Sequence, residues 1–169
     1  MRYAGFTHLL KPSGQLQKWL GLVFIVNAYF FVIRPLRVEF ISVLVSIIEP
    51  ALDQLSSIFM RHSSTTLIFN IGFGESSQPQ TFQEYTYGPA LNMFFVLATV
   101  GLWFIEELNS SIKTLVLIHV MGWFTASTCL FLALFVHPNW LVGSDLITVY
   151  LIPMASMALV ALRYARQRT

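Results

Sequence analysis

The segment "TLVLIHVMGWFTASTCLFLALFV", residues 114–136, determines the structural class of this protein. It contains no Asp, Glu, Lys or Arg, and it exceeds the roughly 20 apolar residues that a helix needs to cross a bilayer. The whole chain agrees with it, since 56% of its 169 residues are hydrophobic and 11% are charged. Soluble domains average about 45–50% apolar and about 25% charged residues. We therefore expect an integral membrane protein, with lipid covering part of its apolar surface.

Three further apolar runs extend this prediction to an all-α membrane protein with four transmembrane helices. They lie at about 19–33, 89–105 and 146–162, and each reaches the length of a span only with its flanks. Tyr and Trp residues in those flanks suit the interface between membrane and water. The first run follows three basic residues, and no small-residue cleavage site comes after it. We expect it to be a retained span and not a signal peptide.

The basic residues predict the orientation of this bundle. Of the 10 Lys and Arg residues, seven lie in the N-terminal arm, the 106–113 connection or the C-terminal tail: Arg2, Lys11, Lys18, Lys113, Arg163, Arg166 and Arg168. Four spans place these three segments on one side, which the positive-inside rule identifies as the cytoplasmic side, so both termini are expected in the cytoplasm. The predicted units are a cytoplasmic arm 1–18, a first span 19–37, an extracytoplasmic segment 38–88 and a membrane unit 89–169.

The first part of the extracytoplasmic segment has the pattern of an amphipathic helix. In "VEFISVLVSIIEPALDQLSSIFM", residues 38–60, the apolar positions between Val43 and Phe59 step by three and four. Glu49, Asp53 and Ser57 lie on the opposite face. We expect this helix to lie on the outer leaflet or to cover the outer end of the bundle.

The stretch "TLIFNIGFGESSQPQTFQEYTYG", residues 66–88, predicts a β-hairpin beside that helix. Apolar residues alternate from Leu67 to Phe73, turn residues follow, and the chain can return as a second strand. A lone hairpin is marginally stable in water, so this one needs support from the amphipathic helix. We expect a small cap that binds a partner through an edge strand or through its aromatic residues Phe69, Phe73, Phe82, Tyr85 and Tyr87.

Two arginines mark the outer end of the first span. In "FFVIRPLRVEF", Arg34 and Arg37 are predicted to act as charge anchors. Each could reach the phosphates of the outer leaflet, or pair with acids such as Glu39 to hold the cap.

A search for catalytic groups leads to a non-enzymatic prediction. Cys129 and His119 lie on one predicted helix, about 80° and roughly 15 Å apart, so they cannot form a nucleophile–base pair within it. Structural and functional readings of His119 both stay open. The chain shows no clustered metal ligands, no cofactor or nucleotide motif, and a net charge of +2 that does not suggest nucleic-acid binding. The alternatives are a membrane thiol protease or transpeptidase that uses Cys129, and a small transporter or lipid-binding protein.

The entry into the second span carries a family resemblance. In "EYTYGPALNMFFVLATVG", residues 84–101, the motif Y-x-Y-G-x-x-L is formed by Tyr85, Tyr87, Gly88 and Leu91. Together with the order of spans and outer insert, this motif resembles the exosortase-associated small integral membrane proteins. The resemblance implies an accessory role beside a bacterial sorting enzyme for exported proteins. It implies other integral membrane proteins and the lipid bilayer as partners, and no catalytic residues.

Overall fold

A computed structural model describes residues 14–52, 58–73 and 81–168. Its helices are α1 (Gln15–Ala28), the π-helical π1 (Tyr29–Ile33), α2 (Arg34–Leu52), α3 (Met93–Phe104), α4 (Leu108–Phe135), α5 (Trp140–Asp145), the π-helical π2 (Leu146–Leu151) and α6 (Ile152–Arg166). Its strands are β1 (Ile58–His62), β2 (Leu67–Phe73) and β3 (Thr81–Tyr87). The protein is thus mostly helical with one small sheet.

One continuous helix runs from Gln15 to Leu52, because α1, π1 and α2 follow one another without a break. The sequence predicted a span 19–37 and a separate amphipathic helix after it. The structure shows no break between the two, since no glycine lies between Tyr29 and Leu52 and the run contains no turn motif that could stop the helix. The buried positions of α2 include Ile41, Ile48 and Leu52. Val43 and Ile47 are exposed, at 58% and 65%.

Each of the two π segments is followed by one residue and then by a proline, Pro35 after π1 and Pro153 after π2. The residue before that proline donates its N–H to the carbonyl five residues earlier, Arg34 to Tyr29 and Ile152 to Ile147. A proline removes one helical N–H and its ring crowds the preceding turn, so the local widening lets the helix continue. The hydrogen bonds of the two helices therefore widen from four-residue to five-residue spacing in the segments that contain Tyr29 and Thr148, whose side chains are buried.

The sheet has three antiparallel strands in the order β1-β2-β3. His62 lies opposite Leu67 in the first pair, and Leu67 lies opposite Tyr87 in the second. The predicted hairpin is confirmed as β2 and β3. The strand β1 is a correction, because the amphipathic helix was predicted to continue through Phe59. The predicted helical positions 53–57 and the turn 74–80 lie outside the described residues.

The inward face of the sheet forms the main core. Its buried residues Leu67, Phe69, Ile71 and Tyr87 pack with Ile48 of α2, and the same cluster includes Ala126, Leu130, Ala133 and Leu141. The sheet thus rests on α2, as predicted, and on α4 and α5 as well. A second cluster, built on Ala98, Leu102 and Leu115, joins α3, α4 and α6.

Two helices in the described part of the chain are long and apolar enough to cross a membrane: Leu108–Phe135 and the continuous helix Trp140–Arg166. The predicted four spans are therefore confirmed only in part. The predicted second span is the shorter apolar helix Met93–Phe104, about 18 Å long at 1.5 Å per residue. It starts late because Leu91 has a left-handed backbone, with φ of 58°, and the Asn92 side chain caps the helix at Phe94.

The described parts of the three segments that were predicted to share one side lie at one end of the molecule. Lys18 pairs with Glu106 at 3.0 Å, and Arg163 lies 3.8 Å from Glu107. The start of α1 also packs closely on α3. A Cβ at Gly21 would lie 2.2 Å from the Trp103 ring, so only glycine permits this approach.

Candidate functional site

The five predicted aromatic contacts do not form one exposed surface. Phe69 and Tyr87 are buried in the core, at 0% and 1% exposure, and Tyr85 is half-buried. Phe73 and Phe82 lie near one end of the β2–β3 pair, and their side chains are outside the described part of the structure. The prediction that Phe69 and Tyr87 present their rings to a partner is therefore wrong. Alternation correctly indicated one buried face, and that face is turned toward the protein's own helices.

Tyr87 fixes the end of β3 to α4. The Trp123 Nε1–H donates to the Tyr87 hydroxyl at 2.9 Å, and that hydroxyl lies 2.8 Å from Ser127 Oγ. Because Ser127 donates its own hydrogen to the Trp123 carbonyl, Tyr87 donates to Ser127. Burial raises the pKa of the Tyr87 phenol, so its O–H is retained at neutral pH.

Arg37 connects the long helix to the sheet. It is 7% exposed, and its Nη1 donates to the Tyr29 hydroxyl at 3.0 Å. Its Nη2 donates to the carbonyl of Thr65, in the turn between β1 and β2, at 3.4 Å. The Nε–H has no partner among the described residues. Arg37 was predicted as an outer anchor that could pair with Glu39, and no ion pair joins these two residues in the described structure.

Arg34 has a different environment from Arg37. It is exposed on the outer surface of α2, with its guanidinium 5.9 Å from the centre of the Phe30 ring. This is a cation–π contact within one helix. Of the two predicted anchors, only Arg37 reaches the sheet.

His119 forms a buried pair with Ser156, not with Cys129. Its Nε2 lies 3.0 Å from Ser156 Oγ, and neither side chain has measurable exposure. Because Ser156 donates to the Ile152 carbonyl at 2.7 Å, His119 Nε2–H is the donor to Ser156. This is the reverse of the direction in which a histidine activates a serine nucleophile. The geometry therefore supports a helix-to-helix contact between α4 and α6.

Cys129 has the environment of a packing residue. It is buried, and a Cβ placed on Gly143 would lie 3.1 Å from its Sγ. The close approach of α4 and α5 thus depends on a small residue on each side. No group of three or more His, Cys, Asp or Glu residues that could hold a metal ion occurs in the described ranges.

The two edges of the sheet differ. Ser63 N–H donates to the Thr66 carbonyl at 2.9 Å, which sets the hydrogen-bonded positions of the β1–β2 pair. Antiparallel alternation then turns the N–H and C=O of Met60 and His62 away from β2, toward the outer edge. The same alternation turns Thr86 N–H to the outer edge of β3, where the Asp145 carboxylate accepts it at 2.7 Å.

Within the described ranges, no hydrogen bond satisfies the outward groups of Met60 or His62. The side chains of Arg61 and His62 are exposed beside them. We call this outward side of Ile58–His62 the β1 edge. It is an open hydrogen-bonding surface. On β3 the cap is confined to Thr86, since the outward groups of Glu84 are also unbonded within the described ranges.

Two apolar grooves lie between α2 and α4. The larger, about 320 Å³, is lined by residues of both helices that include Leu44, Ile47, Leu130 and Phe131. The smaller, about 210 Å³, includes Arg37. Phe40 and Trp123 line both grooves. Their rings are in edge-to-face contact, with 5.5 Å between ring centres.

Sequence reasoning missed the residues that hold the sheet in place. Asp145 carried a signal, since it is a lone acid directly before an apolar run. Tyr29 could also have been found from the sequence, because it lies two helical turns before Arg37 on the same helix. The Thr65 carbonyl carried none, since a backbone acceptor in a turn has no residue signature.

Comparison with known proteins gave no further guide to function. No protein-family model, no curated protein and no solved structure matches the chain. The function is therefore inferred from the geometry of the sheet, its fixed side and its open edge.

Proposed function

We propose that this chain is a non-enzymatic accessory subunit, or assembly partner, of a bacterial inner-membrane complex. It binds another integral membrane protein, or an exported protein, by adding a strand to the β1 edge. The observation that carries this proposal is a contrast on one small sheet: Asp145 caps the outward N–H of Thr86 on β3, whereas the outward groups of Met60 and His62 on β1 have no cap within the described residues.

An added strand needs outward N–H and C=O groups and a sheet that does not move. The β1 edge supplies such groups at Met60 and His62, in the register given above. The sheet is held by the contact of Tyr87 with Ser127 of α4, by Asp145 at the end of α5 and by Arg37 of α2. Because these three contacts come from three different helices, the edge is positioned before a partner arrives. Preorganisation of this kind lowers the entropic cost of binding.

Exposed apolar side chains support a membrane location for the helices. Along the first helix they include Leu16, Trp19, Leu20, Val23, Phe24, Phe30, Phe31, Val32 and Leu36. Patches of this extent on soluble proteins are covered by a partner or a membrane. We infer that α1 with π1, and α3 with its flanks, complete a four-span bundle around the two longer helices. The basic end would then face the cytoplasm and the sheet would face outward.

The long helix fits this arrangement. Gln15–Leu52 would be about 55 Å long, which exceeds the roughly 30 Å hydrocarbon core. Its second part can therefore leave the hydrocarbon and support the sheet. An accessory role beside an exported-protein sorting enzyme agrees with the resemblance of the Tyr85–Leu91 motif to exosortase-associated membrane proteins.

The enzymatic alternatives have weaker support from the geometry. Cys129 packs against Gly143, and Ser156 uses its hydrogen on the Ile152 carbonyl. We expect Cys129→Ala and Ser156→Ala to retain cellular activity. Loss of activity at unchanged protein level in either variant would favour an enzyme.

Site-specific photo-crosslinking tests the proposed docking edge. A benzoylphenylalanine probe at Arg61, in the full chain in native membranes, should give one discrete crosslinked product. The matched control is the same probe at Glu84, an exposed residue of β3. The proposal fails if Arg61 gives no product, or if both positions give the same product with equal yield.

A further inference from the structure

The positive charge of the buried Arg37 is not neutralised by its contacts with Tyr29 and Thr65. A guanidinium stays charged under all relevant conditions. The two oxygens that Arg37 contacts, from Tyr29 and Thr65, are both uncharged. No carboxylate lies within ion-pair distance in the described ranges, and the Nε–H is unbonded. Buried charges in proteins are normally paired, so this cation lacks a counterion.

The smaller groove gives Arg37 access to a ligand from the side of the bundle. Ile33, Leu36 and Phe40 form its wall on the long helix, and Leu91 and Trp123 stand opposite. Apart from Arg37, these side chains offer almost only carbon atoms to the groove. A ligand with one anionic group and an apolar remainder would complement both features.

The groove also continues onto exposed apolar surface. Leu36 lines it and is exposed, and Val32, four residues earlier on the same face of the helix, is exposed as well. In the proposed orientation, these residues lie deeper in the outer leaflet than Arg37. An acyl chain can therefore run along them while a phosphate stays at the level of the guanidinium.

We propose that this groove binds an anionic phospholipid, with its phosphate at Arg37 and an acyl chain along Ile33 and Leu36. The inference rests on the membrane location proposed above and is independent of partner binding at the β1 edge. The lipid supplies the missing negative charge and an acceptor for Nε–H. Charge-assisted hydrogen bonds of this type are the stronger kind in proteins. The bound lipid would brace the contact between the long helix and the sheet.

Native mass spectrometry of the full chain tests this site. The chain is released from vesicles of phosphatidylcholine that contain a minor fraction of phosphatidylglycerol. We expect phosphatidylglycerol to be enriched about tenfold over its share of the vesicle, which corresponds to one charge-assisted hydrogen bond. Arg37→Gln should abolish the enrichment, whereas Lys113→Gln, which removes an exposed charge at the other end of α4, should retain it.

A second variant separates lipid binding from the integrity of the sheet. Leu36→Trp fills the groove and leaves the hydrogen bonds of Arg37 in place, so it should also abolish the enrichment. Its crosslinking from Arg61 should be unchanged, which distinguishes this site from the docking edge. Equal enrichment in the wild type, Arg37→Gln and Leu36→Trp would overturn the proposal. Competition by inorganic phosphate alone would also contradict it, because the acyl chain would then contribute nothing.

Discussion

The two edges of the sheet differ at the end where His62, Leu67 and Tyr87 lie opposite one another. At the β3 edge the outward N–H of Thr86 is bonded to Asp145, and the neighbouring Tyr87 is tied to α4. At the β1 edge the outward groups of Met60 and His62 have no partner in the described structure, and the side chains beside them are exposed. An edge strand with unpaired N–H and C=O groups can pair with a strand of another chain, and proteins usually cover such edges. One side of the sheet is therefore attached to the helices, and the other is the proposed contact surface.

The largest expected effect is on the attached side. Tyr87→Ala removes a fully buried aromatic ring and its two hydrogen bonds, which should lower the free energy of unfolding by about 3–5 kcal/mol. Tyr85→Ala, at a half-buried position two residues earlier, is the matched control and should cost clearly less. Unfolding of the full chain by SDS titration in mild detergent measures both. Equal losses would show that β3 is not anchored more firmly at Tyr87.

A smaller effect is expected at the capped edge itself. Asp145→Ala leaves the Thr86 N–H without its acceptor in a partly buried position, at a cost of about 1–3 kcal/mol. Asp145→Asn retains an oxygen acceptor and should lose less. If both variants unfold like the wild type, the cap is dispensable and the two edges do not differ energetically.

The hydroxyl of Tyr87 should contribute the smallest effect on stability. Tyr87→Phe keeps the ring and should cost about 1 kcal/mol. The raised pKa of the phenol adds a pH signature. Its folded-state pKa lies above the unfolded value of about 10, so its stabilisation is complete below that pH and is lost as the pH rises further. The wild type should therefore lose more stability than Tyr87→Phe above pH 10. If the free energy of unfolding of the two proteins falls equally with pH, the Tyr87 phenol is not the cause.

Sequence alone predicted the parts of the fold that follow a simple period. The alternation from Leu67 to Phe73 identified β2 and its buried face, and the long apolar run identified α4. The prediction from sequence failed at β1, because Ile58 and Phe59 also continue the three-and-four spacing of apolar residues in the preceding helix. It also divided the first helix after residue 37, although a π segment allows that helix to pass its proline. The polar contacts that fix the sheet, such as Thr86 with Asp145, join positions far apart in sequence and have no local pattern.

The outward backbone groups of the β1 edge are the proposed binding site for a partner. His62→Pro removes an outward N–H and, in the register of the β1–β2 pair, no hydrogen bond to β2. His62→Ala changes the same exposed side chain and keeps that N–H. The decisive measurement is the yield of the crosslinked product from the Arg61 probe in these two backgrounds, at matched protein level. We expect near-wild-type yield with His62→Ala and at least a severalfold loss with His62→Pro. Equal yields in the two variants would contradict it.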